Sequence, residues 1–154
     1  MQRNVESKKQ SVAVDLTGDG GIMKTILQEG SGEVIPNGTK AKVHYRGTLQ
    51  DGSVFDTSRT RGQPFKFTVG AREVILGWDK GVATMKKGEI CMLRCAPDYA
   101  YGNNNVGPIP ANSTLDFEVE LLDWSVNTGN ESSTSVSFLA FVVVCGLIYF
   151  FLMK

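Results

Sequence analysis

The chain has a single histidine, His44, three cysteines, and no surplus of either charge, with 16 basic against 16 acidic residues among 154. Each scarcity excludes something. One imidazole leaves no Ser-His-Asp set that the sequence can support. His44 falls in mid-strand on the face opposite Val43 and Tyr45, where a lone His is ordinarily a structural or surface residue. Cys91 and Cys95 form a C-x-x-x-C pair with no second Cys or His cluster, which is not a zinc spacing. Neighbours along one strand face are also poorly placed for a disulfide, so both read as small core residues of a reducing compartment. Cys145 lies in an apolar tail. Balanced charge argues against nucleic acid as a partner. Neither G-x-x-x-x-G-K-[ST] nor G-x-G-x-x-G occurs, and the carboxylates stand at no informative spacing. No metal or cofactor is expected. An enzyme built on this inventory would run a reaction that needs neither nucleophile nor metal. Rotation about an X–Pro amide is one of the few.

What is present centres on residues 69–89, VGAREVILGWDKGVATMKKGE. Trp78, Val82 and Met85 recur at helical spacing, which predicts a short helix over residues 76–85, closed by the turn Lys86-Lys87-Gly88. On either side the period changes. Phe65, Phe67 and Val69 alternate before it, and Cys91, Leu93 and Cys95 alternate after it, as in half-buried strands. One amphipathic helix among strands packs across the sheet. Its leading Trp78 then either fills the core or floors a pocket at the core's edge, and periodicity alone leaves both open.

About one hundred residues remain for a folded unit once the polar first twenty and the apolar last eighteen or so are set aside, which makes one small domain. Residues 1–20 read as a flexible leader with no apolar run long enough for a signal-peptide core. Residues 23–27 alternate and suit an edge strand. Pro36-Asn37-Gly38 is a turn. Residues 40–46 place Ala41, Val43 and Tyr45 on one face, and Asp51-Gly52 signals a hairpin to Val54-Phe55. Residues 56–63 read as a polar loop or bulge. Residues 97–110 form a long loop carrying Tyr99, Tyr101 and Ile109, residues that exposed loops seldom carry without a packing or binding reason. Leu115, Phe117, Val119 and Leu121 alternate with acids as a last strand, and Trp124 closes the domain at residues 21–124.

Residues 125–135 are Ser/Thr/Asn-rich and read as a flexible linker spanning roughly 15–20 Å. Residues 136–153 are eighteen in number with Ser137 as the only polar member. As a helix they reach about 27 Å, enough to cross a bilayer core. A helix apolar on every face needs lipid or a second domain around it, so this stretch is expected to span a membrane. Its place next to the C-terminus suggests a tail anchor, with the domain in the cytosol and Lys154 on the far side. A long, very apolar anchor without a basic flank points to the endoplasmic reticulum rather than the mitochondrial outer membrane. Asn112 and Asn130 match the glycosylation pattern and are then expected to be unmodified.

The stretches VHYRGTLQDGSVFDTSRTRGQPFKFTVG, EVILGWDKGV, APDYAYG and STLDFEVELL closely resemble the FKBP-type peptidyl-prolyl cis/trans isomerases, the receptors of tacrolimus and rapamycin. The resemblance covers residues 21–124 and runs through several separated motifs in the family's order. It implies an α+β fold, a curved antiparallel sheet wrapped around one short helix, followed here by one C-terminal transmembrane helix. Carried over position by position, it implies a pocket of Tyr45, Phe55, Asp56, Arg61, Phe65, Val74, Ile75, Trp78, Tyr101, Ile109 and Phe117. Trp78 resembles the floor under the prolyl ring, with Tyr45, Phe55, Phe65, Val74 and Phe117 as apolar walls. The Ile75 N–H and the Tyr101 hydroxyl look like donors to substrate carbonyls. Asp56 is similar to the carboxylate that pairs with Arg61 near Tyr45, in a role either catalytic or purely structural. The implied partners are prolyl-containing proteins and tacrolimus- or rapamycin-type macrolides. The loop between Tyr101 and Phe117 departs from the common pattern: it is one residue shorter and holds Asn103-Asn104-Asn105-Val106. A non-catalytic, membrane-tethered adaptor using the same groove is the competing reading.

Overall fold

A computed structural model describes residues 11–126 of the chain. In chain order the elements are β1 (Ala13–Asp15), β2 (Ile22–Gln28), β3 (Ser31–Val34), β4 (Lys40–Thr48), β5 (Val54–Thr57), β6 (Phe65–Thr68), α1 (Leu76–Val82), β7 (Lys86–Lys87), β8 (Ile90–Cys95) and β9 (Leu115–Ser125). Seven strands form one antiparallel sheet in the order β1-β2-β8-β9-β4-β5, with β6 pairing the first half of β4. β3 and β7 make a small second sheet. Register shifts interrupt the pairing of β4 with β9 after Lys42, of β4 with β5 after Gly47, and of β2 with β8 after Ile26. Such irregularities bend and twist a strand, which a sheet that must close over a helix requires.

The alternation seen in the sequence becomes burial. Ala41, Val43 and Tyr45 of β4, Phe65 and Phe67 of β6, Cys91, Leu93 and Cys95 of β8, and Leu115, Phe117, Val119 and Leu121 of β9 all face one core. Trp78, Val82 and Met85 join it from the helical segment. Two glycines allow α1 to lie this close to β8. A Cβ on Gly77 would stand 2.4 Å from Cys95 Sγ, and one on Gly81 would stand 2.5 Å from Leu93 Cδ1.

The structure differs from the sequence expectation at several borders. The helix ends at Val82 rather than at residue 85. Thr84 turns its hydroxyl back onto the Gly81 carbonyl at 2.7 Å, and the amides of Thr84 and Met85 bond three residues back, so the last turn tightens while Met85 stays buried. Residues 23–27 are not an edge. β1 pairs outside β2, so within the expected flexible leader Ala13–Asp15 form a strand. Asp15 holds the turn that follows by accepting the amides of Thr17, Gly18 and Gly20 at 2.8–3.0 Å. Asp56 and Thr57, expected in a polar loop, belong to β5, and Arg59–Arg61 form a single 3-10 turn. The last strand runs on through Ser125. Among the described residues no helix is long and apolar enough to cross a membrane. The expected span at residues 136–153 and nearly all of the expected linker lie outside the described residues.

Candidate active site

The site is assembled where β4, β5, β6, β9 and the start of α1 converge. Trp78 is fully buried, and three rings stand edge-on to it: Tyr45 at 4.9 Å between centroids, Phe117 at 5.4 Å and Phe65 at 6.0 Å. Phe55, half-buried, meets Phe117 edge-to-face at 5.6 Å. Edge-to-face pairs at these distances gain beyond their buried area, so the rings fix one another. Val74, Ile75, Tyr101 and Ile109 are buried in the same cluster. The structure therefore brings Trp78, Tyr45, Phe65, Phe117 and Phe55 into one ring cluster, and places Val74, Ile75, Tyr101 and Ile109 in the same core. Trp78 Nε1 has no acceptor among the described residues. A buried unsatisfied N–H costs about 1–3 kcal/mol, a cost a phenylalanine filling the same space would not carry.

Beside the rings stands a polar group. The Tyr45 hydroxyl donates a very short hydrogen bond to Asp56 Oδ2 and accepts one from Arg61 Nη2 at 2.5 Å. Arg61 Nη1 donates to Asp56 Oδ1 at 2.7 Å, so one planar guanidinium engages both partners. Burial pushes the Tyr45 hydroxyl well above the ordinary tyrosine value, and the Asp56 hydrogen bond adds to the shift. The same bond to Asp56 raises Arg61 further. At neutral pH Tyr45 is thus a neutral phenol held between Asp56 and Arg61.

Three positioning residues escaped the sequence reading. Ser58, buried in what looked like a polar loop, accepts the Tyr45 amide at 2.9 Å, and His44 Nδ1 lies 2.9 Å from the same oxygen. Nothing in the sequence marks this Ser. Gly47 occupies an inward position of β4 where a Cβ would lie 2.5 Å from the Phe55 ring and 3.1 Å from that of Phe117. A glycine inside an alternating strand is the signal that could have found it. Asp79 is buried on α1 and accepts the amides of Gly70 and Arg72 at 3.0 and 2.9 Å, which holds the turn leading into Val74 and Ile75. Arg72 takes a φ of 59°, so this turn needs that support. The carboxylate on an otherwise apolar helix face was its visible sign.

Among the described residues no group of three or more His, Cys, Asp or Glu side chains is gathered as for a metal ion. Cys91 and Cys95 are free, buried thiols whose pKa values burial pushes up to about 12.

A buried aromatic cluster with a Tyr–Asp–Arg group beside it, on a sheet closed over one short helix, agrees with the sequence comparisons. The pattern of the FKBP-type peptidyl-prolyl cis-trans isomerases matches residues 31–122, a stretch that contains every candidate site residue. The chain belongs to this family of isomerases. Among particular proteins, it is 54% identical over 104 residues to the peptidyl-prolyl cis-trans isomerase Fkbp12 of Drosophila melanogaster, covering 66% of this chain and 96% of that protein. It is 53% identical over 103 residues to FK506-binding protein 1 of Dictyostelium discoideum, again 66% and 96%. FK506-binding protein 59 of Drosophila melanogaster is 51% identical over 113 residues, 72% of this chain but only 26% of that longer protein.

Proposed function

We propose that this chain catalyses cis/trans rotation of X–Pro bonds in protein substrates at the basin floored by Trp78, that tacrolimus- and rapamycin-type macrolides inhibit it there, and that residues 136–153 tether it to a membrane. The observation that carries the catalytic reading is the Trp78 ring, ringed edge-on by Tyr45, Phe65 and Phe117 beside the Asp56–Arg61 pair. Amide resonance opposes rotation with a barrier of about 18–20 kcal/mol. Twisting breaks the resonance and leaves a less dipolar group, which a dry aromatic basin favours over the planar amide. Ile75 supports this: its N–H meets no acceptor among the described residues, at the lip of α1, and is therefore available to a substrate carbonyl. The Tyr101 hydroxyl is assigned the companion donor role. Asp56, Arg61 and Tyr45 keep one wall polar and fixed. No proton is transferred, so the lone His44 is no obstacle. Lowering the barrier by about 5 kcal/mol accelerates rotation several-thousand-fold.

The test is exchange of a cis X–Pro peptide followed with the full chain in detergent, with and without tacrolimus. Acceleration that the drug abolishes is expected. Exchange no faster than buffer overturns the enzyme reading and leaves the adaptor. Trp78→Leu separates floor from core: the variant is expected to fold and to bind drug more weakly, and unchanged affinity removes Trp78 from the pocket.

The tether reading rests on the apolar run at residues 136–153, and the buried free thiols Cys91 and Cys95 suit a cytosolic domain. The endoplasmic reticulum is the proposed membrane. Protease added to intact organelles is expected to digest the domain without detergent, with no glycan on Asn130. Protection until detergent is added places the domain in the lumen.

A further inference from the structure

Two residues before Tyr101, the half-buried Tyr99 joins the N-terminal turn to the start of α1. Its hydroxyl donates to Asp19 Oδ2 at 2.8 Å, across eighty residues of chain. A Cβ on the buried Gly21 would overlap the Tyr99 ring, so that ring lies directly on the Gly21 backbone. On the other side the Tyr99 carbonyl would stand 3.0 Å from a Cβ on Gly77, the residue before Trp78, and Lys80 Nζ of α1 lies 5.9 Å from the ring centroid. The turn is built to present its acceptor. Asp19 Oδ1 takes the Thr17 hydroxyl at 2.6 Å and the Gly21 amide at 2.8 Å, which leaves Oδ2 for Tyr99. The Thr17 hydroxyl and the Gly21 amide hold the Asp19 carboxyl below its ordinary value, so the acceptor is charged at neutral pH. The Gly21 carbonyl in turn accepts the Ala96 amide at 2.8 Å, just before Pro97.

What the turn grips is the segment that carries Tyr101. Pro97–Tyr99 form a single 3-10 turn. The Pro97 carbonyl accepts the amides of both Ala100 and Gly102, at 3.0 and 2.8 Å, and the Gly102 carbonyl accepts the Asn112 amide at 2.7 Å. Residues 97–102 are thus one tight unit, and a displacement of Tyr99 is carried to Tyr101. The turn at residues 15–21 precedes residues 31–122, the stretch that follows the family pattern.

We propose that Asp19 and Tyr99 are positioning residues for the isomerase reaction: the N-terminal turn clasps residues 97–102 and so sets the Tyr101 hydroxyl for a substrate carbonyl. The proposal rests on the donor role assigned to Tyr101 above. Both residues act through Tyr101. A hydrogen bond at the surface replaces one to water and stabilises the fold only modestly, whereas a donor displaced by a fraction of an ångström loses much of its hold on substrate. The clasp therefore matters more to binding geometry than to folding. The bond that rotates lies elsewhere, over Trp78, so the Tyr101 donor serves planar and twisted substrate alike, and its displacement falls on KM rather than on kcat.

The test measures kcat and KM on a cis X–Pro peptide with full chains in detergent, each rate referred to the fraction folded by urea unfolding. Tyr99→Phe keeps the ring on Gly21 and removes only the hydroxyl. It is expected to raise KM about fivefold with kcat nearly unchanged. Asp19→Ala is expected to match it, and the double variant to lose no more than either, since the two share one contact. Asp19→Asn is expected to stay near the parent, because a carboxamide keeps its oxygen for Thr17 and Gly21 and offers its NH2 to the Tyr99 oxygen. In a Tyr101→Phe chain, itself with a raised KM, Tyr99→Phe is expected to add nothing to KM while its small loss of stability persists. A parent KM for Tyr99→Phe overturns the clasp, and so does a Tyr99→Phe loss that is undiminished on top of Tyr101→Phe. Parent kinetics for Tyr101→Phe overturn the donor role, and this proposal with it.

Discussion

The domain buries two carboxylates against two bases, and the pairs differ in what surrounds them. Glu89 and Lys24 stand 2.5 Å apart with side chains 3% and 7% exposed. Lys24 also donates to the Thr84 hydroxyl and carbonyl at 2.9 and 3.2 Å, and Glu89 accepts the Lys86 amide at 3.0 Å. Every partner is local scaffold, and the pair ties β2 to the turn that ends the helix. Asp56 is nearly as buried, but its Arg61 is 31% exposed, and the third member of the group is an aromatic ring that stacks edge-on to Trp78. One ion pair is sealed inside the fold. The other reaches solvent through Arg61. A buried charge by itself therefore says little about function, and what it shares its second contact with says more.

That contrast can be broken by mutation, starting with the sealed pair. Glu89→Ala strands the Lys24 ammonium in the core and is expected to cost about 3–5 kcal/mol by urea unfolding, with the isomerase rate of the folded fraction unchanged. Replacing both partners, as K24M/E89L, is expected to recover most of that loss. A rate that falls with Glu89→Ala in still-folded protein would make this pair part of the site. Asp56→Ala is expected to cost less, about 1–3 kcal/mol, because the partly exposed Arg61 regains water. Its kcat/KM should nonetheless fall about tenfold, equal to about 1.4 kcal/mol of transition-state stabilisation. If Asp56→Ala destabilises more than Glu89→Ala and isomerises at the parent rate, the roles assigned to the two pairs are exchanged.

The smaller effects are in pH. The Tyr45 hydroxyl and the Cys91 and Cys95 thiols titrate higher in the folded protein than in the unfolded chain, because burial disfavours their anions. The unfolded chain then releases protons first. Their contribution to stability is complete below the ordinary thiol value of 9.0 and is lost as pH rises towards about 12. Thermal unfolding followed from pH 8 upward is expected to show this decline, and Cys91→Ala should flatten part of it. Asp15 has the opposite sign. The Thr17 and Gly20 amides hold its carboxyl below the ordinary 3.8, so its exposed turn helps the fold above that pH and stops helping as pH falls. Asp15→Asn should shift stability at pH 7 by less than any change above, and its difference from the parent should vanish in acid.

Much of this was legible in order along the chain. Alternation is a local property, and β4, β6, β8 and β9 follow it because a strand puts every second residue on the same face. The helix was found from Trp78, Val82 and Met85 for the same reason, but its end was not, since Thr84 stops it with a hydroxyl hydrogen bond that many threonines could make and few do. Leader and edge were misjudged because β1 is only three residues long and carries no periodic signal of its own. In the site, residue types such as Trp78 and Tyr45 could be named from motifs; Gly47 and Asp79 left only a sign, an inward strand glycine and a carboxylate on an apolar helix face, and Ser58 left none, because its role is a contact with the Tyr45 amide thirteen residues away.

The sequence by itself determined which residues are apolar, at what period they recur, and therefore that one short helix lies on an antiparallel sheet. It also determined, through several separated motifs, the family. Only the tertiary structure decided that Asp56 and Arg61 close on Tyr45 while Glu89 and Lys24 close on nothing but scaffold. It alone set Phe65 of β6 opposite Val43 of β4, which brings that ring to 6.0 Å from Trp78. Periodicity reports which face a side chain takes. Which side chain it meets there depends on strand order and register, and these are settled only when the whole core closes at once.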